Sequence, residues 1–574
     1  MKEAACLIQS RQARRLKPRS GEAGVRTTMN RDEAWQEARA YTPEQLALAR
    51  KVLAELRAGH DLGQALRRHP QPGGGHLPKH LLVHTYHLLT GSGAWPVEPA
   101  VLQMIRMKPV RSLSGVTTVT VLTQPHPCPG RCIFCPDDVR LPKSYLPEEP
   151  GARRALQHGF DPYAQTAARL EALQAIGHPT DKIELLILGG SWSAYPGDYQ
   201  EWFVLRCLEA LNRQPADSLE EAQEANAAAR HRNVGLVVET RPDLITLAEI
   251  ATMRRLGVTK VQMGAQSLDD HLLALNRRGH TVEDTRRAVS LLRAAGLKIV
   301  LHWMPNLLGA TLESDRQDFG RLWEDPGLRP DELKIYPCQL LAETELHERW
   351  QRGEYRPYTT EELIDLLADL KPTIPRYCRV NRIVRDIPSS YILAGNKRSS
   401  LRMDVQAELK RRGQRCSCVR CREVRGSDII QEELRLDSFA YDAGGAQEHF
   451  LSFVTPEDRL AGYARLSLPG PDSPATGLHD LDGAAIVREL HVYGQSLPLG
   501  AESDGEAQHT GLGFALMAEA EAIASARGFQ RLAVIAALGT RDYYRRLGFS
   551  LGETYMIKDP LGAGTGRPGQ PFPG

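Results

Sequence analysis

Between Thr117 and Pro337 the chain alternates short β-rich runs with amphipathic helical stretches, six times over. The runs are Thr117–Leu122, Ile183–Leu188, Val234–Glu239, Val258–Met263, Lys298–Trp303 and Glu332–Tyr336. Helical candidates between them include Tyr163–Ile176, Leu244–Leu256 and Val282–Ala295. Apolar strands interleaved with helices specify an α/β protein built on a parallel sheet. Six units predict a partial or full (β/α) barrel, in which chemistry collects where strands end and loops begin. The strand ends are unusual in kind. The first is followed by Cys128-Pro-Gly-Arg-Cys132-Ile-Phe-Cys135, the second by Gly189-Gly190-Ser191, and the third ends in Glu239-Thr-Arg241-Pro-Asp243. The fourth runs into Gly264-Ala-Gln266-Ser267, the fifth into Met304-Pro-Asn306 and the sixth into Pro337. One active-site face is expected, assembled from all six.

The 574 residues exceed what one core organises, so further domains are expected. Helical patterning at Pro43–Ala58 and His80–Leu89 predicts a small helical extension at the N-terminus. A second α/β unit begins near residue 431, with strands near His449–Phe453, Ala461–Leu466, Ala485–Tyr493 and Arg531–Ala536 and a helix at Gly513–Ala526. The tail from Leu561 is rich in Gly and Pro and reads as disordered. No apolar run is long enough to span a bilayer, and the Arg-rich first thirty residues lack the apolar stretch of a secretory signal. Met29 offers an alternative start, and the cytoplasm is the expected compartment. Net charge is only +2, yet from Arg376 to Arg425 fourteen Lys/Arg face four Asp/Glu. Such a surplus can neutralise phosphates, and it is equally compatible with a basic solvated surface.

Six of the ten cysteines fall into two clusters, which in a large chain favours metal over disulfides. The C-x3-C-x2-C spacing of Cys128, Cys132 and Cys135 suits three corners of a [4Fe–4S] cluster with one iron left open. A closed structural zinc site would want a fourth ligand. The second cluster, Cys416-Ser-Cys418-Val-Arg-Cys421, reads as a structural zinc knot without an adjacent fourth ligand; a second iron–sulfur site is the alternative. Gln508-His-Thr-Gly511-Leu-Gly513 precedes a helix, and backbone N–H groups at a Gly-rich helix start suit a pyrophosphate. A plain loop entering a helix is the alternative.

The first cysteine pattern is that of the radical S-adenosylmethionine (SAM) superfamily. From about Lys108 to about Lys558 the chain resembles the catalytic subunit of Elongator, the tRNA uridine-34 acetyl/carboxymethyl-transferring family. The matching segments include Lys108-Pro-Val-Arg111, Gln124-Pro-His126-Pro-Cys128, Asp161-Pro-Tyr163, Gly177-His178-Pro-Thr-Asp181-Lys182 and Glu239-Thr-Arg-Pro-Asp243. Arg278-Gly-His280-Thr281, Leu333-Lys334-Ile-Tyr336-Pro337, Arg385-Asp386-Ile-Pro388 and Arg488-Glu-Leu-His491-Val-Tyr493-Gly494 continue the series. The close cysteine spacing is similar to that of bacterial and archaeal members, which is compatible with action without other Elongator subunits.

The resemblance implies a helical, tRNA-contacting extension over residues 1–100 and a partial (β/α)6 TIM-like radical SAM barrel over 101–345. A basic linker with the zinc motif follows over 346–430, then a GNAT acetyltransferase domain over 431–560 and the tail 561–574. It implies that SAM, bound at the open iron, is cleaved to a 5′-deoxyadenosyl radical, with Gly189 and Gly190 beside its methionine portion. Glu239, Arg241 and Gln266 are cofactor or substrate contacts by strand-end position, or structural ion pairs. Acetyl-CoA contacts are implied at Glu489, Leu490, His491 and Val492, at Gly511, Leu512, Gly513 and Phe514, and at Tyr544 and Lys182. Tyr543 and Tyr544 could bond the thioester sulfur or orient the acetyl group. The Arg-dense stretches Arg376 to Arg385 and Lys397 to Arg415 would face tRNA backbone. The implied product is 5-carboxymethyluridine at position 34, the electron donor being unspecified. The rival activity is protein lysine N-acetylation on a radical SAM scaffold.

Overall fold

The computed structural model describes residues 41–71, 74–112, 114–425, 430–493 and 511–561. The chain divides into two compact units, residues 1–105 and 106–574. In the first, helices Pro43–Arg57, Leu62–Arg68, Lys79–Gly91 and Pro99–Ile105 enclose a core of Val52, Leu53, Leu56, Leu81, Leu82 and Tyr86. Thr42 starts the first helix with a capping box, exchanging hydrogen bonds with Gln45, and Pro43 takes the first helical position where no N–H is needed. The proposed tail from residue 562 onward lies outside the described residues.

The second unit contains two large sheets. In the first, β1 (Thr117–Leu122), β2 (Lys182–Leu188), β3 (Arg232–Thr240), β4 (Lys260–Gln266), β5 (Lys298–Trp303) and β6 (Glu332–Ile335) run parallel in sequential order. The small antiparallel pair β7 (Leu340–Leu341) and β9 (Ile392–Ala394) flanks β8 (Arg379–Arg382), which joins the first sheet as a seventh parallel strand beside β6. The linker expected over 346–430 therefore contributes a strand to the barrel sheet. It also supplies helices Glu345–Gln351, Thr360–Leu370 and Leu401–Arg411.

Period-two alternation sorts the barrel residues into two populations. Val119, Val121, Ile183, Leu185, Ile187, Val261, Met263, Ile299, Leu301, Leu333 and Ile335 are buried in the apolar core. Their neighbours Thr118, Thr120, Glu184, Lys260, Gln262, His302, Glu332 and Lys334 line an interior cavity. The barrel is thus filled by polar side chains and space rather than by layers of apolar ones.

The second sheet has the order β10 (Arg435–Ala443), β11 (Ala446–Val454), β12 (Leu460–Pro469), β13 (Ala484–Val492), β14 (Arg531–Val534), β16 (Met556–Lys558), β15 (Ser550–Leu551). All pairs are antiparallel except β13 with β14. Among the described residues no helix is long and apolar enough to cross a membrane.

Candidate active site

The first cysteine motif leaves the C-terminal end of β1. Thr123 N–H bonds Leu188 O at 2.9 Å, holding the loop against the end of β2. Gly130 N–H donates to Cys128 Sγ at 3.4 Å, and Arg278 Nη1 donates to Cys132 Sγ at 3.5 Å. A hydrogen bond from Cys135, with the charges of Arg278 and Arg241, pulls the Cys132 thiol down to about 5; Cys135 moves the other way. Two glycines lie under close neighbours, and at Gly189 the backbone also favours glycine. A Cβ on Gly130 would run into the Arg241 guanidinium, and one on Gly189, whose φ is +140°, into the Thr123 hydroxyl.

Arg241 pairs with Asp243 at 2.9 Å and donates to Arg278 O at 2.9 Å, yet its Nη1 is buried without a partner. Arg278 Nε and Gln266 Oε1 are also buried and unpartnered, and Gln266 holds the unusual φ of +67° at the end of β4. Leaving such groups unsatisfied costs about 1–3 kcal/mol each. Unused donors and an acceptor beside three thiols fit a ligand carrying a carboxylate and an amino group next to a cysteine-held cluster. Cys128, Cys132, Cys135, Gly189, Gly190, Glu239, Arg241 and Gln266, singled out from sequence, all line this one cavity.

The second sheet meets the barrel at the opposite, N-terminal ends of its strands. β13 and β14 pair only from Ala484/Arg531 to Val487/Val534. Beyond that they part, so that Glu489, Leu490 and His491 stand on one side of a wedge and Ile535 and Ala537 on the other. Burial alone would raise the Glu489 carboxyl, but Lys298 from β5 and Arg465 hold it well below the usual range. Its partners are Lys298, Arg465 at 2.8 Å and the Tyr463 hydroxyl at 2.8 Å. Burial lowers His491 to about 4, leaving it neutral at physiological pH.

The helix Leu512–Ala526 begins at Gly511, whose φ is +117°. Leu512 is buried and Phe514 is 40% exposed. A Cβ on Gly513 would meet Tyr543 Oη at 2.7 Å and Val492 Cγ2 at 3.8 Å, so the end of β13, the helix start and Tyr543 converge. Tyr544 lines the cavity, whereas the Tyr543 hydroxyl is buried against Gly513 without a partner. Gln508 lies outside the described residues. Lys182 opens β2 at the end facing the second sheet, and it is not among the cavity-lining residues.

These two regions are parts of one cavity of about 880 Å³ that runs through the barrel. Its walls between the ends carry charged side chains that sequence reasoning did not single out. Lys260 pairs with Glu184 at 2.6 Å and Glu332 at 3.4 Å, and Asn381 donates to Glu332 at 2.6 Å. Burial raises Glu332, but Lys260 and Lys298 override it and bring the carboxyl to about 2. The available signal was Lys, Gln and Glu at alternate positions of otherwise apolar strands.

Cys416, Cys418 and Cys421 bring their sulfurs within 4.8 Å of one another, the only such group among the described residues. Three clustered thiols fit zinc as first ligands. They lie outside the central cavity. The surrounding basic stretch is largely engaged internally. Arg376 bonds Asp458 at 2.9 Å, Arg379 pairs with Glu423, Arg385 bonds Glu149 at 3.0 Å and Arg412 bonds Asp365 at 2.7 Å. Lys397, Lys410 and Arg415 remain exposed.

The chain matches the radical SAM superfamily over residues 126–319, the radical SAM C-terminal domain over 330–411 and the acetyltransferase (GNAT) family over 421–549. It is 43% identical to a tRNA uridine(34) acetyltransferase of Methanocaldococcus infernus, covering 80% of this chain and 88% of that one. It is 45% identical to a protein of the same name from Dehalococcoides mccartyi, covering 78% and 98%. Elongator complex protein 3 of Danio rerio is 36% identical over 80% of this chain and 87% of that one. A solved structure of Methanocaldococcus infernus Elp3 with an N-terminal deletion superimposes with a TM-score of 0.68 at 39% identity, covering 78% of this chain and 99% of that one.

Proposed function

The chain belongs to the family of tRNA uridine(34) acetyltransferases and Elongator complex protein 3, and from that membership we propose that it is a radical SAM acyltransferase of tRNA. In this reading it builds a 5-carboxymethyl group on the wobble uridine from acetyl-CoA. The observation that carries the reading is the single cavity joining Cys128, Cys132 and Cys135 to Glu489, His491 and Tyr544.

The cluster and SAM, when bound, supply a 5′-deoxyadenosyl radical able to activate the acetyl methyl for addition to C5 of the uridine. The chain's own residues do the rest by position. Cys128, Cys132 and Cys135 hold the cluster, while Arg241, Arg278 and Gln266 offer their unpartnered atoms to the amino-acid end of SAM. Gly189 and Gly190 admit close backbone approach. The wedge at Glu489 to Val492 and the helix start at Gly511 to Phe514 take acetyl-CoA, with Tyr544 facing the acetyl end. Lys182, at the interface end of β2, is suited to a phosphate from the same ligand. tRNA docks through the exposed Lys397, Lys410 and Arg415, and its target base leaves the stack to enter the barrel mouth.

Lysine N-acetylation would require a base for the acceptor ammonium. The two carboxylates lining the acetyl end do not serve. Glu489 is held by Lys298 and Arg465, and Glu423 by Arg379 and Tyr493. The test is nucleoside mass spectrometry of tRNA incubated with the reconstituted protein. 5-Carboxymethyluridine that requires SAM, reductant and acetyl-CoA, and is lost in Cys132→Ala, supports the reading. Acetylated peptide formed at an undiminished rate by Cys132→Ala, with unmodified tRNA, overturns it.

A further inference from the structure

Gln262 of β4, His302 of β5 and Lys334 of β6 meet inside the barrel, where all three are buried and line the central cavity. His302 and Lys334 are register partners on neighbouring strands. Gln262 lies between the Lys260 end and the Gln266 end of its own strand, so the trio stands between the acetyl end of the cavity and the cysteine end. Neither the cluster site nor the acetyl-CoA wedge uses it.

The lysine sets the hydrogen-bond polarity of the trio. Lys334 Nζ bonds Gln262 Oε1. An ammonium only donates, so the amide turns its oxygen to Lys334 and keeps its N–H groups for another partner. The same oxygen lies 3.3 Å from His302 Nε2. An oxygen there attracts an N–H and repels a lone pair, which places the ring proton on Nε2. Burial, with the charges of Lys334, Arg278 and Arg385, holds His302 well below its ordinary value, so the ring is neutral and Nδ1 is an acceptor. One obligate donor thereby fixes both an amide and a tautomer. Tyr336, edge-on to His302 with 5.4 Å between ring centroids, lines the same cavity and supplies an aromatic surface for an unstacked base.

An acceptor next to a donor matches the N3–H of a uracil and a carbonyl beside it. Cytosine carries a lone pair at N3, which would face the lone pair of Nδ1. Reading the base by this edge leaves C5, where the new bond forms, uncovered. We infer that Gln262 and His302, with Lys334 as their positioning residue, read the target base as uridine rather than cytidine. The inference rests on the reading that a tRNA pyrimidine enters this cavity.

The experiment measures binding of full-length protein, without reductant, to anticodon stem–loop RNAs that differ only at position 34. That position carries uridine, cytidine or 3-methyluridine, which keeps both carbonyls but has no N3–H. The parent is expected to bind the uridine RNA roughly tenfold more tightly than either of the others. His302→Phe keeps a ring against Tyr336 and removes the acceptor, so both ratios should fall to about one. Lys334→Met frees the Gln262 amide to turn and should lower the preference over cytidine. A general loss of folded protein would weaken all three RNAs alike, so the ratios isolate base reading. A parent that binds the 3-methyluridine or cytidine RNA as tightly as the uridine RNA overturns the inference, and so does a preference retained by His302→Phe. Equal affinities from a protein that still forms 5-carboxymethyluridine would overturn this inference alone. A preference for the uridine RNA without any 5-carboxymethyluridine would instead sink the proposed reaction and leave the base-reading residues standing.

Discussion

Arg488 and Asp331 form a two-point ion pair, 3.0 Å from Nη1 to Oδ1 and 2.5 Å from Nη2 to Oδ2, in which neither side chain reaches solvent. Arg488 belongs to β13 of the second sheet, and Asp331 directly precedes β6 of the barrel. Arg488 also donates to Leu297 O at 3.0 Å and Glu448 at 2.7 Å. One guanidinium thereby ties β13 of the second sheet to the N-terminal ends of β5 and β6.

Removing one member of such a pair strands the other. Arg488→Ala is expected to destabilise the second unit by about 3–5 kcal/mol. Asp331→Asn should cost less, since its amide oxygen still accepts from Ile299 N–H, now at 2.9 Å. Thermal unfolding of the two variants checks the order; an Arg488→Ala protein as stable as the parent contradicts it.

The two adjacent tyrosines are predicted to separate. Tyr544 lines the cavity, and loss of one hydrogen bond to the ligand by Tyr544→Phe should lower acetyl-CoA turnover by about tenfold. Tyr543→Phe removes only a partnerless hydroxyl and should change turnover less than about twofold. Gly513→Ala should be damaging because its Cβ would meet that hydroxyl at 2.7 Å, and Tyr543→Phe should partly rescue it. Steady-state kinetics of the two single variants and the double variant tests all three statements.

Asp315 gives a pH signature. It is 2% exposed, and burial raises its carboxyl to about 7 against the hydrogen bonds it accepts from Asn306 N–H and Tyr358. A folded-state value above the unfolded one means more protons bound in the folded state. Its contribution is therefore fully present below about pH 4 and is lost as pH rises through 7. Asp315→Asn should remove that slope and be relatively more stable than the parent at pH 8. Unfolding midpoints from pH 5 to pH 8 decide it; parallel curves for the two proteins contradict it.

The exposed cations Lys397, Lys410 and Arg415 should carry tRNA affinity, whereas Arg412, bonded to Asp365, Asp369 and Glu408, should not. Each phosphate contact removed by substitution is expected to lower the salt dependence of binding by about one in log–log slope. Filter binding over a salt series with Lys410→Gln and Arg412→Gln checks the contrast.

Much of the barrel was legible because apolar alternation is strong there: β1 and β5 span Thr117–Leu122 and Lys298–Trp303, as the pattern predicts. β8, with the sequence Arg-Val-Asn-Arg, has only one apolar residue, and its pairing depends on a neighbour 47 or more positions away. β10 is an edge strand in which five of nine residues are exposed and only Ala443 is buried, so it carries no alternation between a buried core face and solvent. The cavity wall was hidden for a related reason. Lys298 and Glu489 are 191 residues apart, and nothing local announces their pairing. The basic run from Arg376 to Arg425 reads as a surface by charge count, but its acidic partners, such as Glu149 and Asp458, lie elsewhere in the chain.

The central claim is that one cavity lets a single acetyl thioester serve both ends of the barrel. It is tested most directly by anaerobic turnover with methyl-deuterated acetyl-CoA, SAM, reductant and tRNA. The account predicts deuterium in the 5′-deoxyadenosine formed. Modified tRNA accompanied by unlabelled 5′-deoxyadenosine would contradict it.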